Sequence, residues 1–169
     1  MKRKAIRKLT IAGVLTAVAV AGSLFSIPVF GAKCSPVQHM VNVIAGVLLG
    51  PGYALGMGFI AALLRNLLGL GSLLAFPGSM IGALLSGVAY KLCPHLPAAY
   101  IGEVFGTGIL GGILSYPVAA FLMGNSTAAL LTFVPSFLVS TGVGAAVSVL
   151  VLSALGKTGT LRQLEGALR

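Results

Sequence analysis

Few side chains in this 169-residue sequence can hold or transfer a proton. The acidic residues are Glu103 and Glu165, and the histidines are His39 and His95. The sequence has neither an H-E-x-x-H zinc motif nor a G-x-x-x-x-G-K-[ST] phosphate loop, so it carries no signature of a metalloprotease or of a nucleotide hydrolase. We also expect no serine, histidine and acid at a common depth. The sequence therefore predicts a non-enzyme with no catalytic residues, no metal ligands and no cofactor.

Polar side chains with the spacing of a binding surface occur in the first half of the chain. Gln38 and Asn42 are four positions apart, and His39 and Asn42 are three apart, so a helix would place them on one face. Arg65 and Asn66 form a second polar pair. Ligand pockets are mostly apolar with a few convergent polar groups. These residues therefore suit a neutral or weakly charged heterocycle as ligand.

The elements that must position these residues are membrane helices. The sequence is 57% hydrophobic and 8% charged, and its mean hydropathy is +1.07, which excludes a soluble fold. A spanning helix takes roughly 20 apolar residues, so this length allows about six or seven spans. The 24 glycines suit helices that pack closely within a membrane. We predict an all-α fold and a single integral membrane domain over residues 1–169.

Glycine and proline breaks divide the chain into six predicted transmembrane helices. These helices cover about residues 9–30, 36–49, 53–68, 77–92, 98–123 and 128–155. The second and third are short for membrane spans. Ser35 and Pro36 are expected to cap and open the second helix. Pro135 is expected to kink the sixth helix, and Gly124 to Thr127 to form the outer turn before it.

Basic residues predict the orientation of these helices. Eight of them flank the hydrophobic region: Lys2, Arg3, Lys4, Arg7 and Lys8 before it, and Lys157, Arg162 and Arg169 after it. By the positive-inside rule both termini are cytoplasmic, which leaves Lys33 and Arg65 at the outer side. The basic residues form no aromatic-interleaved patch, so nucleic acid is not an expected partner. The predicted location is the cell membrane of a prokaryote.

A secretory signal is an alternative interpretation of the N-terminus. Phe30-Gly31-Ala32 resembles a cleavage site with small residues. However, the apolar run from Leu9 to Phe30 is 22 residues long, whereas a signal peptide has an apolar region of roughly 7 to 15 residues. We therefore favour a retained first helix.

This topology gathers polar side chains at the outer ends of the helices. The candidate substrate-binding residues are Gln38, His39, Asn42, Arg65, Asn66, Ser72, Phe76, Ser79 and Tyr116, together with the deeper Glu103. Placement in the lipid headgroup region is the alternative for Tyr116 and its neighbour Ser115, and Arg65 could extend to the interface. Glu103 has three possible roles: to pair with a basic group, to bind substrate deeply, or to face a partner subunit.

Small residues recur at four-residue spacing along the first helix, at Gly13, Ala17 and Ala21. Such a stripe lets another helix approach closely, so partner contact is one interpretation. Internal packing is the other, because the same spacing recurs at Gly52/Gly56, Gly78/Gly82, Gly102/Gly106 and Gly108/Gly112.

Four stretches of the chain resemble the ThiW family: Ser35-Pro36-Val37-Gln38-His39, Gly50-Pro51-Gly52-Tyr53-Ala54, Arg65-Asn66 and Leu73-Leu74-Ala75-Phe76-Pro77-Gly78-Ser79-Met80. ThiW proteins are substrate-specific S components of energy-coupling factor (ECF) importers, assigned to hydroxyethylthiazole, the thiazole precursor of thiamine. The resemblance implies a six-helix fold and a substrate site near the outer face. It also implies as partners one transmembrane coupling subunit, contacted by the Ala17-x-x-x-Ala21 motif, and two ATPase subunits.

Other functions remain open at this point. Related S components share a fold while accepting different vitamins, so hydroxymethylpyrimidine or another thiamine-pathway compound is an alternative substrate. A self-sufficient channel or secondary transporter that uses Glu103 for ion coupling is a second alternative. A membrane enzyme is a third, although the sequence offers no convincing nucleophile.

Overall fold

The computed structural model describes residues 2–29, 32–125 and 127–168. Within these ranges six long helices form the bundle: α1 (Lys2–Gly22), α2 (Pro36–Leu49), α3 (Pro51–Leu67), α4 (Ala75–Leu92), α5 (Leu96–Leu122) and α6 (Val134–Lys157). A shorter helix, α7 (Thr160–Leu168), follows them. Phe30 and Gly31 of the considered cleavage site, Ser126 of the predicted outer turn and the basic residue Arg169 lie outside the described residues. The predicted all-α membrane fold is confirmed.

Three of the described helices are long and apolar enough to cross a membrane on their own, namely Arg3–Phe25, Leu96–Leu122 and Val134–Lys157. Helix α2 has only 14 residues, which gives a rise of about 21 Å, whereas the hydrocarbon core of a bilayer is about 30 Å thick. It is nevertheless the central helix, because residues 41–49 are all buried and it packs against each of the other long helices.

The first helix ends earlier than predicted. After Gly22 the chain makes a short 3₁₀ turn, Ser23–Phe25, and then an antiparallel hairpin of β1 (Ile27–Val29) and β2 (Ala32–Cys34). Pro28 lies in β1, opposite Lys33. Proline lacks an N–H and disfavours helical geometry in the residue before it, so the helix cannot continue to residue 30.

The sixth helix also differs from its prediction. It begins at Val134 rather than at Ala128, and Pro135 occupies its first turn instead of kinking it. A proline at that position costs no hydrogen bond, because the first N–H groups of a helix have no intrahelical partner. The predicted kink is therefore wrong.

Irregular helical geometry occurs instead in α5. Two of its segments, Val104–Gly111 and Val118–Leu122, have π-helical hydrogen bonding. The second follows Pro117, whose ring and missing N–H disturb the regular ladder. In the first, a side chain at Gly106 would meet the Gly82 Cα at 2.9 Å, so α4 and α5 pack almost backbone to backbone. Such π segments are frequent at functional sites.

Both ends of the chain lie at the same end of the bundle. Lys8 of α1 places its Nζ 3.4 Å from the Leu49 carbonyl oxygen, at the end of α2. Helix α7 packs on α1, α2 and α6, and its Glu165 accepts a 2.7 Å hydrogen bond from the Tyr90 hydroxyl, near the end of α4. The opposite end of the bundle contains the start of α2, the end of α3 and the starts of α4 and α6.

Candidate functional site

A small cavity lies at the bundle end opposite the termini, between α2, α3, α4 and α6. Its lining consists of Lys33, Ser35, His39, Arg65, Ser72, Leu74, Ala75, Ser79, Ser136, Phe137 and Ser140. The five serine hydroxyls, one imidazole and two cationic groups make the wall polar, and Phe137 supplies an aromatic ring. The space open to the centre of a water molecule is about 30 Å³, and one water needs roughly 10 to 15 Å³ of such space, so the cavity holds only a few waters. A heterocyclic ligand therefore requires the cavity to widen.

His39 connects this cavity to the core of the bundle. Its Nε2 lies 2.9 Å from the Ser140 Oγ on α6, and its Nδ1 lies 3.0 Å from the Glu103 Oε1 on α5. A carboxylate in this position accepts from a proton on Nδ1. The imidazole is 6% exposed and Glu103 is fully buried, so three helices are held in a fixed relation at the base of the cavity.

Of the two carboxylate oxygens of Glu103, only Oε1 has hydrogen-bond donors around it among the described residues. Its Oε1 also accepts a 3.1 Å hydrogen bond from Asn42 Nδ2 and lies 2.8 Å from the Thr107 hydroxyl. Its Oε2 has no partner among the described residues and lies beside Gly82, where a Cβ would come within 2.6 Å of it. Its contact with His39 fits the first of its three candidate roles, which is to pair with a basic group.

Arg65 points into the bundle rather than out to the interface. It is 3% exposed, although it ends α3. Its Nη1 donates to Gln38 Oε1 at 3.2 Å and its Nη2 donates to Ser35 Oγ at 2.7 Å. Gln38 Nε2 then donates to Asn42 Oδ1 at 3.0 Å, so hydrogen bonds run without a break from Arg65 to Glu103. We call these six residues the polar network: Arg65, Gln38, Asn42, Glu103, His39 and Ser140.

Ser35 occupies the N-cap position of α2 as predicted, but it does not cap the helix with its side chain. Pro36 does begin the helix, but the Ser35 side chain makes no capping hydrogen bond. Its hydroxyl accepts from Arg65 instead, and its backbone N–H donates to Ser140 Oγ at 2.9 Å. The start of α2 is thereby tied to α3 and to α6.

The predicted binding residues fall into three groups. His39, Arg65, Ser72 and Ser79 line the cavity. Gln38, Asn42 and Glu103 lie one layer deeper, in the polar network. Asn66, Phe76 and Tyr116 are not part of the lining.

The three residues of the last group have other contacts or positions. Asn66 Nδ2 donates to the carbonyl oxygens of Ala62 and Ser72, at 2.8 and 3.0 Å, and so fixes the loop between α3 and α4. Phe76 packs on Phe59, with 5.7 Å between the ring centroids. Tyr116 is half-buried on α5. The aromatic side chain at the cavity is Phe137 instead.

The prediction missed the wall that α6 contributes. Ser136 and Ser140 are four positions apart on α6, and both are almost fully buried. That spacing is the same helical signal that singled out Gln38 and Asn42, so it was available in the sequence. With the sixth helix predicted to begin at Ala128 rather than at Val134, these serines would lie about 1.7 turns further into the membrane.

The order Ser140, His39, Glu103 matches that of a serine-hydrolase triad, so the expectation that no such set shares a common depth is wrong. The backbone around Ser140 nevertheless offers no oxyanion donors. Ser140 lies inside α6, where backbone N–H groups are used by the helix itself. Acyl transfer needs free donors aimed at the developing oxyanion. The geometry suits hydrogen bonding to a ligand better than catalysis.

No group of three or more metal-binding side chains occurs in the described part of the chain. The cavity thus offers hydrogen bonds, positive charge and one ring.

Comparison with known proteins gives one family match. A family model described as "Thiamine-precursor transporter protein (ThiW)" matches residues 9–158, which include most of α1, all of α2 to α6 and the whole cavity lining. No curated protein matches the chain.

Proposed function

The chain belongs to the ThiW family of thiamine-precursor transporters, and from this we propose that it is the substrate-binding S component of an ECF importer for hydroxyethylthiazole. The observation that carries the proposal is the cavity, in which His39, Ser140 and Phe137 come together at one end of a membrane bundle. A binding subunit needs such a site, and it needs no catalytic machinery.

The chemistry of the thiazole fits the groups available. Its ring nitrogen accepts one hydrogen bond, and its hydroxyl group donates one and accepts others. Serine hydroxyls and a histidine nitrogen can satisfy both. The flat ring would stack on Phe137, because aromatic rings attract each other in offset stacks with their centroids roughly 4.5 to 7 Å apart. We propose His39, Arg65, Ser72, Ser79, Ser136, Phe137 and Ser140 as contacts, with Gln38, Asn42 and Glu103 holding them in place.

Substrate entry would displace the loop between α3 and α4. Ser72 and Leu74 of this loop line the cavity. The loop is held mainly by hydrogen bonds to the end of α3, including two backbone bonds to the Arg65 carbonyl oxygen. Widening would also break the packing of Leu74 in a buried cluster with Ala119, Phe133 and Phe137.

The energy for uptake would come from partner subunits, because the sequence has no phosphate-binding loop. We propose one transmembrane coupling subunit and two ATPases. Gly13, Ala17 and Ala21 of α1 are exposed, and they border an apolar groove against α3. Exposed small residues are what close helix contact in a membrane requires.

The four-residue spacing that Gly13, Ala17 and Ala21 share with the other glycine pairs does not mean that they share a role in internal packing. A Cβ at Gly13, Gly52 or Gly56 would meet nothing within 4 Å, so the groove between α1 and α3 is open. At Gly82 and Gly106, by contrast, a Cβ would collide with neighbouring helices. Glycines in the middle of the bundle thus serve internal packing, whereas Gly13, Gly52 and Gly56 are left for a partner.

In the proposed orientation both termini are cytoplasmic, in the cell membrane of a prokaryote. This orientation follows the distribution of basic residues, which cluster at the bundle end that holds the termini. The cavity then opens to the outside, where the precursor is captured.

Binding in the absence of ATP tests this function. Purified protein in nanodiscs should bind hydroxyethylthiazole in a calorimeter with one site per chain. Tight binding of hydroxymethylpyrimidine with no response to the thiazole would support the alternative substrate and reject the proposed one.

A self-sufficient secondary transporter is the second candidate, and the buried His39–Glu103 pair is the observation that favours it, since intramembrane ionisable groups can couple ion movement. Liposomes that contain only this chain discriminate between the two. Uptake driven by an ion gradient would contradict the S-component proposal, and uptake only after addition of the coupling module would support it.

A further inference from the structure

Arg65 is a buried cation with no anionic partner among the described residues. Its guanidinium donates only to neutral groups, on Gln38 and Ser35. Its Nε has no hydrogen-bond partner among the described residues. Buried charges in proteins are normally paired, because taking an isolated ion out of water is costly. The partner of Arg65 is therefore expected to come from outside the chain.

Neither acidic residue of the sequence can serve as that partner. Glu103 is engaged by His39, Asn42 and Thr107. Glu165 bonds to Tyr90 at the opposite end of the bundle. Glu103 forms its ion pair with His39, at 3.0 Å.

A second positive charge stands at the same cavity. Lys33, on β2, lines it, and its Nζ lies 3.5 Å from the Leu70 carbonyl oxygen of the α3–α4 loop. No acidic side chain lines the cavity. A ligand in the cavity thus meets Arg65 and Lys33 before it meets Glu103, which is a layer deeper.

We propose that Arg65 selects the ligand by charge. The cavity takes a small heterocycle that is neutral or anionic and that presents an acceptor to the Arg65 guanidinium, and it rejects cations. Two like charges within a few ångströms in a poorly solvated site repel strongly, enough for a discrimination on the order of 100-fold or more.

This selectivity rests on the proposed function and sharpens it. A thiazole precursor has an uncharged ring, whereas the finished vitamin contains a quaternary thiazolium. Charge is therefore the simplest property by which one site can capture the precursor and ignore thiamine. A phosphate monoester of the precursor would be accepted, since its charge complements Arg65 and Lys33.

The test is a calorimetric binding series on the full chain in nanodiscs, with matched probes. Hydroxyethylthiazole is compared with its N-methyl thiazolium, which adds a methyl group and a positive charge. A neutral analogue with the extra methyl on ring carbon 2 controls for size. The wild-type protein should bind both neutral probes, bind the phosphate monoester at least as tightly, and bind the thiazolium at least 100-fold more weakly. Binding of the cation within tenfold of the neutral probes would overturn the proposal.

Variants assign the selectivity to Arg65. Arg65→Met keeps most of the side-chain volume without charge, and should reduce the neutral-to-cation ratio to below tenfold. Arg65→Lys keeps the charge and should keep the ratio, even if both affinities fall. An unchanged ratio in Arg65→Met would contradict the role of Arg65. If Arg65→Met does not fold, Lys33→Gln is the second variant, because Lys33 is exposed. It should lower the neutral-to-cation affinity ratio several-fold. An unchanged ratio would overturn the proposal that the positive charges at the cavity select the ligand.

Failure of the proposed function has a different signature. If no thiazole binds, the substrate assignment is wrong. The same comparison is then made between hydroxymethylpyrimidine and its N-methyl pyrimidinium. Equal affinities for these two probes would overturn the proposed selection by charge as well.

Discussion

At the scale of single residues, the site depends on how His39 is held. The Glu103 carboxylate fixes Nδ1, which directs Nε2 toward Ser140 and the cavity. Hydrogen bonds to a charged group are worth about 1.5 to 3 kcal/mol, so this pair holds the imidazole rigidly. Rigid donors and acceptors favour ligand binding, because less freedom is lost when the ligand arrives.

Removing this imidazole is expected to weaken substrate binding. His39→Ala deletes the contacts to Ser140 and Glu103 and should reduce affinity for the thiazole by 10- to 100-fold, or about 1.4 to 2.8 kcal/mol. It should also lower the thermal unfolding midpoint, because the Glu103 carboxylate is left buried and unpaired. Calorimetry and a thermal melt measure the two effects.

The other histidine provides the matched control. His95 is exposed in the loop between α4 and α5, at the far end of the bundle. His95→Ala should leave affinity and unfolding midpoint unchanged. Equal affinities for His39→Ala and wild type would remove His39 from the site.

The sequence could predict this site only in part. Gln38, His39 and Asn42 were found by helical spacing, which is a local property of one element. The partners of His39 lie 64 and 101 positions away along the chain. No spacing rule connects such distant residues, because their contact depends on how α2, α5 and α6 pack.

At the scale of elements, the site depends on close approach between α4 and α5. Glu103 ends the regular first part of α5, and the π-helical segment that follows carries Thr107. Gly82 of α4 leaves the room that both side chains occupy. A single methyl group at that position has no space.

Gly82→Ala is expected to disturb the polar network at Glu103, where α5 packs against α4. The new Cβ would collide with the Thr107 hydroxyl and come within 2.6 Å of Glu103 Oε2. Overpacking of this kind costs about 1 to 3 kcal/mol, and the shift of Glu103 should weaken thiazole binding as well. Chemical denaturation and calorimetry report the two losses.

Gly142→Ala on α6 is the control for the glycine substitution itself. Gly142 is exposed and has nothing within 4 Å of the added Cβ. This variant should be as stable as wild type or slightly more so, because alanine favours helix. If the two variants were equally stable, the close packing at Gly82 would be refuted.

The exposed stripe on α1 leads to a prediction about assembly. Ala17→Trp or Ala21→Trp should block association with the coupling subunit, and with it uptake, because an indole cannot enter a close helix contact. Substrate binding should remain, since the cavity lies between other helices. Co-purification with the ATPase module and calorimetry separate the two properties.

Val143→Trp serves as the control for a bulky side chain on the surface, because Val143 is exposed on α6. It should assemble normally. Normal assembly of Ala17→Trp and Ala21→Trp would return the stripe to internal packing.

Helix boundaries show where sequence patterns succeed and fail. The second to fifth helices lie within two residues of their predicted bounds, since glycine and proline mark their ends. The end of α1 and the start of α6 were misplaced by several residues. In both cases the apolar sequence extends beyond the helix, so hydropathy does not mark where the helix ends or begins. Pro28, which follows α1, and Pro135, in the first turn of α6, are the better signals.

At the scale of the whole molecule, charge is distributed unevenly. The chain carries a net charge of +9, and its basic residues concentrate at the end that holds both termini. Lys33 and Arg65 are the two basic residues at the opposite end of the bundle, and both line the cavity. The membrane class and the number of long helices could be predicted from hydropathy and charge. The cavity lining on α6 could not be placed, because it depends on where that helix begins.

The central claim is that this chain alone captures a thiazole precursor of thiamine. The most direct measurement is calorimetric titration of hydroxyethylthiazole into the purified chain, without ATP or partner subunits, with His39→Ala and His95→Ala in parallel. We predict one binding site per wild-type chain, the same affinity in His95→Ala, and a 10- to 100-fold loss in His39→Ala. Absence of thiazole binding to the folded wild-type chain would contradict the account.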